Sequence, residues 1–82
     1  MDKVTKKGIY KHFKGDYYIV EDIATHCEDG SLYVVYRALY EDNKLYIRSV
    51  DDFTSLVDKQ KYPNAKQTYR FELQNIKSVK NL

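Results

Sequence analysis

The chain is short of the residues from which chemical centres are built. Its 82 residues include one cysteine, two histidines, one methionine, one proline and three glycines. One cysteine cannot form an internal disulfide, and a small fold without such staples points to a reducing cytoplasm. No apolar run approaches the roughly 20 residues of a membrane span, and the charged N-terminal stretch has no signal-peptide core, so no membrane partner is expected. There is no CxxC, no glycine-rich loop that would cradle a phosphate, and no nucleophile–base–orienter set. Two histidines without a nearby third ligand fall short of the three or four that zinc takes, so neither a metal nor a cofactor is expected.

What the chain does have is tyrosine. Seven of its nine tyrosines lie between Gly8 and Arg48: Tyr10, Tyr17, Tyr18, Tyr33, Tyr36, Tyr40 and Tyr46. Tyrosine forms strands and combines an apolar body with a polar tip, so this density points to a small antiparallel sheet with half-wet faces. The same stretch holds both histidines, the cysteine and two of the three arginines. Eighty-two residues suffice for one domain, and a chain of this size buries only about 60–65% of its unfolded surface. A hydrophobic fraction of 43% with 32% charged residues fits a globular domain rather than a disordered tail.

The net charge of +2 conceals an uneven distribution. Lys3, Lys6, Lys7, Lys11 and Lys14 face only Asp2 in residues 1–14, while nine acids outweigh Arg37, Lys44 and Arg48 in residues 15–57. Residues 58–82 are basic again through Lys59, Lys61, Lys66, Arg70, Lys77 and Lys80. Two basic ends brought together would form a positive face that attracts phosphates; solvated lysines that keep the domain soluble are the plainer reading.

Along the chain, residues 1–7 read as a flexible lead-in, residues 8–76 as one domain and residues 77–82 as a tail. Gly8 to Phe13 forms a first strand with Ile9, His12 and Phe13 inward, and Lys14-Gly15-Asp16 a tight turn. Tyr17 to His26 is a long second strand whose alternation slips at Glu21-Asp22, where a bulge would bend it. Glu28-Asp29-Gly30-Ser31 is a hairpin signal, followed by strands at Leu32–Tyr40 and Leu45–Val50 across the polar Glu41–Lys44 turn. The apolar period then changes from two to about 3.6. A helix over Asp52–Lys59, capped by Ser49 or Asp51, would put Phe53, Leu56 and Val57 on one face. It should stop before Tyr62-Pro63, and Gln67 to Ile76 alternates as a last strand.

Five strands in short hairpins with one helix before the last describe a small, mainly β, SH3-like antiparallel barrel; an open curved sheet with the helix over one face is the alternative. Here the residues meet a family. The run Gly8-Ile9-Tyr10-Lys11-His12-Phe13-Lys14-Gly15-Asp16-Tyr17-Tyr18 resembles the opening G-x-Y-x-H-[YF]-K-G-x-x-Y of the bacterial DUF1653 family. Ala24-Thr25-His26-Cys27-Glu28, Val34–Tyr40, Leu45-Tyr46-Ile47-Arg48 and the pair Arg70-Phe71 continue the resemblance. Cys27 stands where that pattern usually has Ser, Tyr46 where it has Trp or Phe, and Ser49 where it has Pro. The family is a domain of unknown function, so the resemblance implies a fold and a choice of residues and no activity.

The candidate ligand-binding residues are Tyr10, His12, Tyr18, His26, Tyr36 and Arg48. An arginine fork just before a helix can clamp a phosphate or carboxylate, and exposed tyrosines can stack on bases or line a peptide groove. A histidine beside that arginine would make anion binding strengthen as pH falls towards 6. Against this, His12 can simply hydrogen-bond a backbone carbonyl or an acid, His26 can form a surface ion pair with the local carboxylates Glu28 and Asp29, Arg48 can pair with Asp51, Asp52 or Glu21, and the tyrosines can be core. Cys27, between acids that disfavour a thiolate, reads as a half-buried structural thiol. Three functions follow for a chain expected to be a monomer or weak homodimer: a non-catalytic recognition module for a nucleotide, nucleic acid or peptide; an accessory or self-associating structural domain; or a small enzyme using His12, His26 and Arg48. The first is the expectation.

Overall fold

The two glycine turns fold as their backbones require. Gly15 and Gly30 take φ of +115° and +74°. Each turn is closed by a hydrogen bond from its glycine amide, to the His12 carbonyl at 2.8 Å and to the His26 carbonyl at 2.9 Å. They join the first three of five antiparallel strands in a computed structural model that describes residues 4–76. These strands are β1 (Ile9–His12), β2 (Tyr17–Thr25), β3 (Leu32–Ala38), β4 (Leu45–Ser49) and β5 (Phe71–Leu73), with one helix, α1 (Val50–Phe53), before the last. The protein is mainly β, and its single sheet has the order β4-β3-β2-β1-β5.

The sheet does not close. β4 and β5 stand at its two edges, so the expected barrel is an open sheet. It nevertheless curls until the Phe71 ring of β5 lies 5.3 Å from the Tyr36 ring of β3. Part of that curl comes from β2. Its register passes from Val20↔Tyr36 to Asp22↔Val35, which makes Glu21 the extra residue of a bulge. Glu21 accepts from Lys7 Nζ at 2.8 Å and Arg37 Nε at 3.0 Å, and these bonds hold its carboxyl below the usual range.

Strand register decides what faces inward. The pairs Tyr10↔Tyr18, Tyr18↔Ala38, Val20↔Tyr36, Tyr36↔Tyr46, Val34↔Arg48 and His12↔Phe71 put all these residues on the concave face. Its floor is the core, made of Tyr10, Val20, Val34, Tyr36, Phe53 and Phe71. Phe53, only 1% exposed, stacks on Phe71 with centroids 4.1 Å apart. In β1 the inward residues are therefore Tyr10 and His12, rather than Ile9, His12 and Phe13, because β1 pairs with β2 through Tyr10↔Tyr18 and ends at His12.

The helix is shorter than its spacing suggests. Ser49 caps it, accepting from the Asp52 amide at 3.1 Å, but it ends after one turn rather than running from Asp52 to Lys59. Thr54 Oγ1 and Ser55 Oγ donate to the Val50 and Asp52 carbonyls beside the backbone amides of the same residues, closing the turn locally. The following backbone pairs elsewhere. Arg70 donates to the Ser55 carbonyl and Val57 to the Thr68 carbonyl, a short bridge centred on Leu56↔Tyr69. Leu56 consequently points outward at 63% exposure, while Val57 is buried. The same bridge shortens the last strand from the expected Gln67–Ile76 to three residues.

Ahead of β1, the Lys7 amide donates to the Val20 carbonyl at 2.7 Å and Val4 packs against the core. The expected tail 77–82 and residues 1–3 lie outside the described residues. Cys27 is exposed rather than half-buried, because the β2–β3 hairpin tip extends past the part of the sheet that is covered. Among the described residues, no helix is long and apolar enough to cross a membrane.

Candidate functional site

The concave face carries a cluster of rings and cations around Phe71. His12 meets the Phe71 ring edge-on at 4.8 Å, Tyr18 does so at 5.6 Å, and Arg48 Cζ lies 5.9 Å from its centroid. Strand alternation alone places these side chains: Tyr10 and His12, Tyr36 and Ala38, and Tyr46 and Arg48 are each two apart on one strand. Tyr18 also meets Tyr36 at 5.4 Å, Tyr40 at 5.6 Å and Tyr46 at 6.4 Å. Its hydroxyl shares a 2.8 Å hydrogen bond with that of Tyr40, and burial together with this bond raises its pKa.

Two arginines share one carboxylate beside these rings. Arg48 Nε donates to Tyr36 Oη at 3.0 Å and its Nη1 to Asp52 Oδ2. Arg70 Nη2 lies 3.6 Å from the other oxygen of Asp52, and Arg70 Nε donates to Ser55 Oγ at 3.1 Å. One anion thus holds two guanidiniums, and a positive charge is left over. Both side chains keep about 30% of their surface exposed, at 32% for Arg48 and 29% for Arg70. An incoming phosphate would meet the remaining N–H groups of two guanidiniums held in place by Tyr36, Ser55 and Asp52.

His12 senses that excess. Burial, then the charges of Arg48, Arg70 and Lys14, lower its pKa from 6.5 to about 4, against a smaller pull from Asp16. Its Nδ1 accepts the Lys14 amide at 3.1 Å, which assigns the imidazole proton to Nε2. His12 is therefore a neutral N–H donor near pH 7, and protonation towards pH 6 is not how the free protein would recognise an anion.

The sequence candidates separate. His12, Tyr18 and Arg48 come together with part of each side chain accessible, and Tyr46 stands beside them. Tyr36 belongs to the same cluster, but at 5% exposure its ring is floor and its hydroxyl braces Arg48. Tyr10 is 6% exposed, packed edge-on to Phe53 at 5.2 Å, with its hydroxyl accepting the Thr5 amide. His26 is not part of the cluster. It lies eight residues beyond Tyr18 at the β2–β3 hairpin, where its Nδ1 accepts the Glu28 amide at 3.2 Å and its ring approaches Tyr33. The set His12, His26 and Arg48 is thus not assembled.

Arg70, Tyr40 and Asp52 join the site without having been singled out as ligand residues from the sequence. Alternation over a strand from Gln67 sends Arg70 to the outer face. The strand begins only at Phe71, after a bend, and the Arg70 side chain turns back towards α1. The one signal was the Arg70-Phe71 pair. No cluster of three or more histidine, cysteine, aspartate or glutamate side chains among the described residues is placed to hold a metal ion.

A crystal structure of a DUF1653 protein from Bordetella bronchiseptica is similar to this one, with a TM-score of 0.71 and 26% identity over 93% of this chain and 95% of that one. No curated protein matches the chain. The family described as protein of unknown function (DUF1653) matches residues 8–73, which include every strand and the Arg48–Arg70 cluster, and the chain belongs to that family.

Proposed function

We propose that the protein is a non-catalytic, cytoplasmic recognition module that binds the phosphate and base of a nucleotide or nucleic acid on its concave face. The observation that carries this reading is the pairing of two guanidiniums, Arg48 and Arg70, on the single carboxylate of Asp52 beside half-open rings. Such an arrangement gives a ligand one directional charge contact and one stacking surface. His12 contributes a neutral Nε2–H donor, and Tyr18 and Tyr46 contribute ring surface. The curl that brings the Phe71 ring over Tyr36 and onto Phe53 supports reading the sheet as an SH3-like barrel left open between β4 and β5.

The test is an amide-shift titration with a nucleoside 5′-monophosphate, the free nucleoside and inorganic phosphate. Shifts centred on His12, Tyr18, Arg48 and Arg70, weakening with salt and lost in Arg48→Ala, are the expected result. A peptide that moves those amides when no phosphate does would replace this reading with a peptide groove.

One observation favours a second reading, a self-associating domain. β4 is an edge strand that exposes Leu45 and, at 65%, Ile47. Edges of this kind are templates for pairing with a second copy.

A further inference from the structure

The aromatic face does not end at His12. The ring of Phe13 lies 4.6 Å from the imidazole, and Tyr62 meets Phe13 edge-on at 4.9 Å. Lys14 Nζ stands 5.3 Å from the Tyr62 centroid and Lys61 Nζ 5.5 Å from it, while Lys14 also approaches Phe13. A cleft of about 320 Å³ opens here, walled by Phe13, Lys14, Lys61, Tyr62 and Pro63. Burial would raise the Tyr62 pKa, yet the two ammonium groups outweigh it and hold the phenol below its ordinary value.

This second platform is fixed before any ligand arrives. Asp58 Oδ1 accepts the amides of Gln60 and Lys61 at 3.0 and 3.3 Å. The Tyr62 amide donates to the Asp58 carbonyl, and Lys59 Nζ reaches across the loop to the carbonyls of Ala65 and Gln67. A preformed loop spares a ligand the cost of ordering it.

We infer that the ligand is a single-stranded nucleic acid lying along a track from Tyr18 through His12 and Phe13 to Tyr62, its phosphates met by Arg48 and Arg70 at one end and Lys14 and Lys61 at the other. This rests on reading the concave face as a phosphate-and-base site, and extends it from one nucleotide to several. Successive ring centroids along the track are 6.4, 4.6 and 4.9 Å apart, all wider than the roughly 3.4 Å rise per nucleotide of a stacked strand. Their planes turn by 66°, 31° and 63°, which suits a flexible single strand whose bases can turn separately. A duplex does not, because its base faces are already covered.

The charge pattern sets the direction in which the strand extends. Beyond Tyr46 the surface turns acidic, where Glu41 and Asp42 line a cavity of about 370 Å³ with Tyr40 and Lys44. A polyanion anchored on Arg48 is therefore repelled there and drawn towards Lys14 and Lys61. Rings and lysines carry no base-edge code, so binding should tolerate sequence. An acidic peptide would use the cations but leave the rings unstacked.

The decisive experiment measures affinity for a mononucleotide, a tetranucleotide, an octanucleotide and a matching duplex over a range of salt. The wild type, Lys14→Gln/Lys61→Gln, Tyr62→Ala and Arg48→Ala are compared. The tetranucleotide should bind about tenfold or more tightly than the mononucleotide, as one added stacked base would give. The double lysine variant should lose most of that gain and flatten the salt dependence by about 1.4 log units per log unit. Its mononucleotide affinity should fall much less than its tetranucleotide affinity, whereas Arg48→Ala should weaken every probe. Tetranucleotide binding no tighter than mononucleotide binding, or equal to that of the duplex, overturns the track and leaves the concave-face site standing. Wild-type affinities in both platform variants do the same. Failure of every phosphate probe to bind overturns both.

Discussion

Tyr36 and Arg48 form a diagonal brace across β3 and β4: the phenol oxygen accepts Arg48 Nε at 3.0 Å while the Tyr36 ring sits in the core at 5.4 Å from Tyr18. A buried aromatic thus aims a half-exposed cation, and the guanidinium's other end is held by Asp52. Tyr36→Phe keeps the ring and removes only the brace. It should cost about 0.5–1.5 kcal/mol in urea unfolding and weaken nucleoside-phosphate binding well beyond that loss of stability. Unchanged binding in a folded Tyr36→Phe protein would show that the brace does not position Arg48.

The short helix makes opposite demands on two residues that share one apolar period. Phe53→Ala should cost about 3–5 kcal/mol, enough to unfold a domain with so small a core. Leu56→Ala should lower the unfolding free energy by no more than about 0.5 kcal/mol, because Leu56 lies on the surface. A large loss at Leu56 would mean that the helix continues past Thr54 in solution.

The two glycine turns differ in what they tolerate. A Cβ at either position meets nothing within 4 Å, so any penalty comes from the backbone. Valine at Gly15 or Gly30 should lower stability by about 1–3 kcal/mol in chemical denaturation. Asparagine, which adopts the left-handed region readily, should be nearly neutral at Gly30 with φ of +74° and costly at Gly15 with φ of +115°.

The His12 shift has a defined sign. Its folded pKa of about 4 lies below the ordinary 6.5, so the unfolded chain binds more protons between these values. Stability from this group is complete above about pH 6.5 and is lost as pH falls to about 4, then levels off. The His12 imidazole resonances of the folded protein should titrate near pH 4, and His12→Gln should remove this group's part of the slope between pH 4 and 6.5. A midpoint near 6.5 would mean that the ring is solvated and far from the arginines. Bound phosphate should raise the midpoint, so affinity should climb as pH drops below the bound-state pKa.

Self-association through β4 would show as a mass that grows with concentration in sedimentation. Ile47→Lys puts a charge on that exposed edge and should hold the protein monomeric without affecting phosphate binding. A monomer at all concentrations would remove the self-association reading.

The turns and strands were legible because they depend on neighbours in the chain. Asp-Gly at 29–30 and Lys-Gly-Asp at 14–16 demand left-handed backbone locally, and the broken alternation at Glu21-Asp22 is itself the bulge. The opening motif carried the family in the same way. Strand alternation also put His12, Tyr18, Tyr36 and Arg48 within reach of one another, once register was known.

What only the tertiary structure decided was register, curl and who takes each backbone bond. The spacing of Phe53, Leu56 and Val57 suits a helix, yet Ser55 and Val57 bond to Arg70 and Thr68, more than ten residues on, and the helix stops at one turn. That distant pairing also turns Arg70 into the site. Burial of Tyr10 and Tyr36 follows from the curl that brings β5 over β3, and no local pattern distinguishes them from Tyr18 or Tyr46. Composition and periodicity determine what a segment can form; long-range hydrogen bonds and packing choose among those forms, because each such bond must be satisfied somewhere in the whole fold.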